Sequence, residues 1–598
     1  MPEIRIQPSG EIYRYEAGGS LLEILLAQKI FVDNPCNGKG VCGKCRVRIV
    51  SGDVPDVTET EKKLLGKEEL KAGIRLSCLV KPEHDLEIEL LEKERKGKVL
   101  TGGYVPEFSF DPDVKKKTVE IRKPTLSDQT PYEDQIREQT GVEKVSFQAI
   151  LDQRFTQGTQ TVVIYKDEVV RIEEGDTTDT LYGVAIDIGT TTVVCSLIDI
   201  ISGKETSNAS MINAQKHFGL DVLTRITYEL EHPEDGAEKL QKAIVDSINE
   251  MIRDICRKSG IAIESVYEIT VGANCTMMHM LLGVDATSIG KAPYAPMFVK
   301  AREIDAKEIG IHAAECARVY CLPSVSSYIG ADIVAGAHVC RLKKETGNVL
   351  FIDIGTNGEI VLSKGGELLS CSCAAGPALE GMNISAGMRA ADGAIEDVKI
   401  TEEGIELTVI GGEEPVGICG SGILAVVKEL IRQGIVTKSG AFIKKKKLNE
   451  SDYRYDMIRM NGIKREFIMT NEPKQLFITQ GDVRQVQLAK GAILSGFIAL
   501  LDKAGISMKD LDKVMIAGQF GAHLPADSLT GTGILPKEVE DKIVYVGNSS
   551  KTGAYMALMS GTVKTEMEEL AKDMDYMELS ATKGYERLFS DCLLFPEA

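Results

Sequence analysis

The strongest constraint on this chain is a recurrence. Ile186-Asp187-Ile188-Gly189-Thr190 returns as Ile352-Asp353-Ile354-Gly355-Thr356, each time after one apolar run and before another. An Asp-Ile-Gly-Thr segment that closes an apolar strand predicts a tight hairpin whose N–H and O–H groups can face phosphate oxygens. Its aspartate can orient Mg2+ or a metal-bound water. One copy is a moderate signal, whereas two copies about 166 residues apart indicate a duplicated domain. The length of 598 residues also exceeds what one hydrophobic core supports, so several domains are expected.

A second motif lies near the N-terminus. Cys36-Asn-Gly-Lys-Gly-Val-Cys42-Gly-Lys-Cys45 is followed after 32 intervening residues by Cys78, a C-x5-C-x2-C arrangement with a distant fourth cysteine. Four thiolates are what a [2Fe-2S] cluster needs. Glycines 38, 40 and 43 let the loop fold over it and aim N–H groups at the sulfurs. A zinc knuckle is the alternative, but zinc sites typically present two short ligand pairs, and here Cys78 stands alone. With the Ser20-Leu-Leu-Glu helix start before the loop, residues 1–93 resemble a β-grasp ferredoxin of the plant and adrenodoxin type. The resemblance implies that Cys36, Cys42, Cys45 and Cys78 hold a one-electron carrier.

Composition narrows the rest. A net charge of -19 and a pI near 5.1 oppose nucleic-acid binding, and the basic run Lys444–Lys447 reads as a solvated loop. No leader pattern and no apolar stretch of about 18 residues is found, so no membrane association and a cytoplasmic location are expected. Of the fourteen cysteines, the ten outside the motif lack ligand spacing and read as small buried hydrophobes, Cys371-Ser-Cys373 included.

The predicted organisation is a ferredoxin domain at 1–93, a mobile charged linker at 94–117, a small middle domain at 118–180 and a duplicated domain at 181–598. The duplicated halves are placed at about 181–345 and 346–598. In the middle domain, residues 131–140 read as a helix and 161–172 as a hairpin; no chemistry is assigned to it. Further along, Gly417-Ile-Cys-Gly420-Ser421-Gly422 precedes a predicted helix at 423–433, and helix N-termini favour anions. Val514-Met-Ile-Ala-Gly518-Gln-Phe-Gly521 is an apolar strand ending in spaced glycines that let backbone approach a nucleoside.

Together these motifs resemble the actin, sugar-kinase and heat-shock chaperone superfamily, in which two ribonuclease H-like halves close on ATP. The resemblance implies that Asp187, Gly189, Thr190, Thr191 and Thr192 form a first phosphate site, and Asp353, Gly355, Thr356 and Asn357 a second. It assigns Gly518 and Gly521 to an adenosine loop. Glu359, just after the second site, is a candidate to position attacking water. His279 and His338 are read as satisfying local hydrogen bonds. The overall fold class is therefore α+β and α/β multidomain: a β-grasp ferredoxin, a middle domain and an actin-like ATPase.

The ferredoxin fusion and four intervening motifs narrow the family. Val271-Gly-Ala-Asn274-Cys-Thr-Met277, Tyr328-Ile-Gly330-Ala-Asp332, Gly376-Pro377-Ala-Leu-Glu380-Gly381 and Thr479-Gln480-Gly-Asp482-Val-Arg484 resemble those of reductive activators of corrinoid-dependent methyltransferases and corrinoid iron-sulfur proteins. Methylamine-pathway relatives carry C-terminal cysteine clusters, whereas this tail holds only Cys592. The resemblance implies ATP-dependent one-electron reduction of a Co(II) corrinoid protein to Co(I), with a [2Fe-2S] cluster, ATP and Mg2+. It also implies a low-potential electron donor and a homodimer. The competing readings are an ATP-coupled donor to another acceptor, such as an acyl-CoA dehydratase, and a redox-sensing binding module.

Overall fold

Alternating apolar residues build the first sheet. Ile4, Ile6 and Ile88 point into one core because side chains two residues apart share a face. Strands Glu3–Gln7 and Leu86–Leu90 pair in parallel, and the sheet continues outward through Glu11–Arg14 on one side and Arg46–Gly52 and Ile74–Leu76 on the other. Helix Leu21–Ala27 starts at a Ser20 capping box closed by Glu23, worth about 1 kcal/mol, and buries Leu21, Leu22, Ile24 and Leu25. This is the expected β-grasp fold.

The structure, a computed structural model, describes residues 2–597 except 8, 17, 29, 31, 33–37, 39, 41–42, 92–103, 152–156, 463, 471–474 and 519–523. The described chain forms two compact units, 1–96 with 212–243, and 97–211 with 244–598. In the first unit the 212–243 piece carries the 3-10 turn Ala214–His217 and helix Val222–Glu231. The buried Arg225 guanidinium ties these together by donating to Gly219 O and Gln215 Oε1.

The linker expected at 94–117 does not hold for its described part. Tyr104 N donates to Val546 O, Phe108 packs edge-on to Tyr555, and Ser560 and Thr562 donate to the Asp111 carboxylate. Val114–Ile121 is already a strand, and Lys116 forms a nearly fully buried ion pair with Glu173 at 2.7 Å. Residues 94–103 lie outside the described part. The charged composition misled because these lysines alternate along a strand: Lys115 and Lys117 face water while Lys116 points to an acid. The middle sheet runs in the order Val114–Ile121, Gly158–Tyr165, Glu168–Glu174, Lys144–Val145, with helix Tyr132–Thr140 packed on it.

Two larger sheets follow, and their five-stranded cores share one topology. In the first, Tyr182–Ile188, Thr192–Asp199 and Lys204–Ile212 run antiparallel, and Val266–Ala273 and Arg318–Cys321 join in parallel on the other side of Tyr182–Ile188. In the second, Asn348–Ile354, Gly358–Lys364 and Glu367–Cys373 run antiparallel, and Lys513–Ala517 and Ile543–Gly547 join in parallel. This repeated order is the ribonuclease H-like duplication anticipated from the two Asp-Ile-Gly-Thr copies. Each half contributes a helix, Ala331–Val339 and Ser549–Leu558, and the two helices pack on each other. Their crossing is close, since a Cβ on Gly336 would lie 2.9 Å from Ser549 Oγ and 2.5 Å from Phe351.

Candidate functional site

The cysteine site is partly described. Cys45 is buried and its Sγ lies 3.3 Å from Cys78 Sγ, with neither in a disulfide. That separation is far beyond a disulfide of about 2.05 Å and suits two ligands of one metal atom. The hydrogen bond with Cys78 pulls Cys45 down to about 6, so a ligating thiolate is favoured. Gly38, Gly40 and Gly43 all have positive φ (78°, 72°, 68°), the wrapped backbone that the motif called for. The fourth cysteine is held from behind. Burial alone would raise the Glu61 carboxyl, but the Arg75 guanidinium and the N–H groups of Thr58 and Leu76 hold it below its ordinary value, which anchors the strand leading to Cys78. These described residues fit an iron-sulfur cluster; Cys36 and Cys42 lie outside them.

The second site lies between the duplicated halves. Asp187 and Asp353 lie near the ends of the first strands of their sheets, and the paired helices Ala331–Val339 and Ser549–Leu558 deliver polar groups to it. Asn548 Nδ2 and Ser550 Oγ, at the start of helix Ser549–Leu558, donate to the Asp187 carboxylate at 2.8 and 2.7 Å. Asp332, in the first turn of helix Ala331–Val339, is repelled by both aspartates and itself acts on Glu359. Glu359 sits directly across the hairpin from Asp353, on the same face. Burial is the leading cause that raises each of these carboxyls, and mutual repulsion adds to it: Asp353 is pushed to about 7, Asp332 to about 8, and Glu359 well above its ordinary range. Asp187 is also raised by burial, though Ser550 and Asn548 counter it. The repulsion among these carboxyls would be eased by an added positive charge, although no three His, Cys, Asp or Glu side chains among the described residues are grouped so that they could hold a metal ion.

The hairpins themselves bring the predicted hydroxyls together. Gly189 N closes on Thr192 O and Gly355 N on Asn357 O, both at 2.9 Å. Asn274 Nδ2 donates to Thr190 Oγ1 at 3.1 Å while Asn274 caps its own helix by accepting from Met277 N. Thr191 Oγ1 and Thr356 Oγ1, one from each half, both donate to the Glu380 carboxylate. Gly518 has φ +91°, and a Cβ there would fall 2.5 Å from Asp353 Oδ1, so only glycine lets that strand end meet the aspartate. Gly521 is outside the described residues.

Some expectations shift. The helix predicted at 423–433 begins at Gly420, so Gly420, Ser421 and Gly422 form its first turn. Gly420 and Gly422 pack against backbone, with a Cβ on Gly420 falling 1.9 Å from Leu379 O. Asn274, Asp332 and Glu380 stand within the family motifs, which by themselves assign them no role. Asn548 and Ser550 carried no local signal. His279 accepts from Met297 N and His338 meets Glu566, as expected of local partners. The ten remaining cysteines are free, nine buried and Cys316 half-buried. No helix among the described residues is long and apolar enough to cross a membrane.

Fold and sites define a class: a ferredoxin joined to an actin-like ATPase. Comparisons with known proteins carry this to a family. Residues 4–83 match the 2Fe-2S iron-sulfur cluster binding domain, 182–345 the RACo middle region, and 347–598 the C-terminal ASKHA domain of RACo. The corrinoid activation enzyme RamQ of Eubacterium limosum is 31% identical, covering 88% of this chain and 87% of its own length. A [Co(II) methylated amine-specific corrinoid protein] reductase of Methanosarcina barkeri is 25% identical over 68% of this chain and 76% of its own. A solved reductive activator for corrinoid, iron-sulfur protein superposes with a TM-score of 0.73 at 33% identity, covering 100% of this chain and 99% of its own. This chain belongs to the family of ATP-dependent reductive activators of corrinoid proteins.

Proposed function

We propose that this protein returns the cobalt of a corrinoid protein from Co(II) to Co(I) by one-electron transfer coupled to ATP hydrolysis. The observation that carries this reading is the joining, in one chain, of the Cys45–Cys78 thiol pair on a ferredoxin fold to an acid-lined cleft between duplicated halves. A [2Fe-2S] cluster held by Cys36, Cys42, Cys45 and Cys78 would supply single electrons near roughly -400 mV. A shortfall of ~100 mV costs about 2.3 kcal/mol per electron, which ATP turnover covers.

In the cleft, Asp187 and Asp353 would hold Mg2+. Thr190, Thr191 and Thr192 would receive one part of the phosphate chain, and Thr356 and Asn357 the other. Gly518 and Gly521 would lie against the nucleoside. Glu359 would orient the water that attacks the γ-phosphorus as the bond to the bridging oxygen breaks, giving ADP and inorganic phosphate. Hydrolysis would then bias the halves between arrangements that differ in affinity for the Co(II) partner. A low-potential donor, a homodimer and a cytoplasmic setting belong to the same reading.

The test is anaerobic visible spectroscopy of a Co(II) corrinoid protein mixed with this chain and a low-potential reductant. Co(I) appearing only with ATP and an intact cluster is expected. Reduction that ignores ATP across several corrinoid partners would move the assignment to another acceptor or to a redox sensor.

A further inference from the structure

We infer that Glu380 is a positioning residue that ties the two phosphate hairpins together and yields both threonine hydroxyls to nucleotide phosphate. The inference rests on the nucleotide reading above and adds a competitor to it. Glu380 is only 3% exposed, yet its two carboxylate oxygens serve different halves of the molecule. Thr191 Oγ1 of the first hairpin donates to Oε2 at 3.2 Å, and Thr356 Oγ1 of the second donates to Oε1 at 2.5 Å.

A hydroxyl has a single hydrogen to give. If Thr191 and Thr356 donate to phosphate oxygens, they cannot at the same moment donate to Glu380. The carboxylate and the phosphates also carry like charge in a site with little water to screen it. ATP and Glu380 therefore compete for the same two donors.

The backbone beneath Glu380 leaves little room for the loop to retreat. Glu380 ends the 3-10 turn Pro377–Glu380, and a Cβ on Gly420 would fall 1.9 Å from the neighbouring Leu379 O. A Cβ on Gly387 would fall 2.0 Å from Gly381 O, and Ser385 N and Oγ donate to Asp482 Oδ1 at 2.8 and 3.1 Å. Release consequently occurs by rotation of the side chain, and Arg389 already attracts the carboxylate electrostatically. Gly420 thereby gains a role: without a Cβ it allows the close backbone contact with Leu379 that sets Glu380 between the hairpins.

The experiment measures Mg-ATP affinity of the full-length, cluster-loaded protein by calorimetry for the parent, Glu380→Gln and Glu380→Ala. It repeats the Glu380→Gln comparison in a Thr191→Val/Thr356→Val background. Loss of the competing anion should tighten Mg-ATP roughly tenfold in both single variants. In the background without the hydroxyls, the gain should shrink to less than about twofold, because the exchanged donors are gone. An affinity unchanged or weakened in both folded single variants overturns the inference, as does an equal gain in both backgrounds, which would mean simple charge removal. If neither variant retains the parent's cooperative unfolding and visible spectrum, the carboxylate is structural and the inference also fails. A parent protein that binds no Mg-ATP would overturn the nucleotide reading itself, and this inference with it.

Discussion

The two Asp-Ile-Gly-Thr hairpins are near copies in sequence but differ in chemistry. Across the first hairpin, Asp187 faces Val194; across the second, Asp353 faces Glu359. The first turn closes on Thr192 and the second on Asn357, so the first is one residue longer. That single residue shifts which side chain stands opposite the aspartate. Asp187 is instead stabilised from the other half, by Asn548 and Ser550, whereas Asp353 is crowded by further acids. A duplicated backbone has thus become one hydrogen-bonded carboxylate and one acid cluster.

Four substitutions probe that asymmetry. The largest effect is expected at the shared position: Asp187→Asn or Asp353→Asn should each abolish corrinoid activation, by at least ~100-fold, while the visible cluster spectrum persists. Normal activation in either variant would break the coupling between the two sites. The asymmetry itself is tested next. Glu359→Gln should slow ATP turnover about 100-fold with little change in nucleotide affinity, whereas Val194→Ala in the facing position of the first hairpin should leave the hydrolytic step intact. Equal losses in steady-state ATPase assays would erase the distinction.

A smaller effect is expected where the halves meet. Asn548→Ala removes both a donor to Asp187 and the side-chain acceptor that caps Lys551 N, and should cost about 1–3 kcal/mol in denaturant unfolding.

The smallest effect has the opposite sign. Asp332 is pushed up to about 8 by burial and by Asp353 and Asp187, so the folded chain holds a proton that the unfolded chain has released. Its unfavourable contribution therefore grows as pH rises above the ordinary carboxylate range and levels off above about 8. Asp332→Asn should raise Tm by a few degrees, more at pH 8 than at pH 5, when no nucleotide is added. A pH-independent change in calorimetry would contradict the carboxyl cluster.

Much of the architecture was legible because it rests on local rules. The Ser20 cap, the alternation of Leu86–Leu90 and the glycines around the cysteine loop each act within a few residues. The linker reading failed at Val114–Lys117 for the converse reason. Whether a lysine is solvated or buried depends on a distant acid, here Glu173 for Lys116, and composition holds no record of that partner.

By itself the sequence determined that this protein has a four-cysteine loop, a duplicated strand-turn-strand with aspartates at equivalent places, and an acidic character that disfavours nucleic acid. Tertiary structure alone decided which polar groups complete the cleft. Asn548 meets Asp187 across 361 residues, and Glu380 joins Thr191 to Thr356. Neither pairing follows a periodicity. Both arise because two sheets of the same topology are packed through crossing helices, which brings the ends of remote strands within hydrogen-bonding distance.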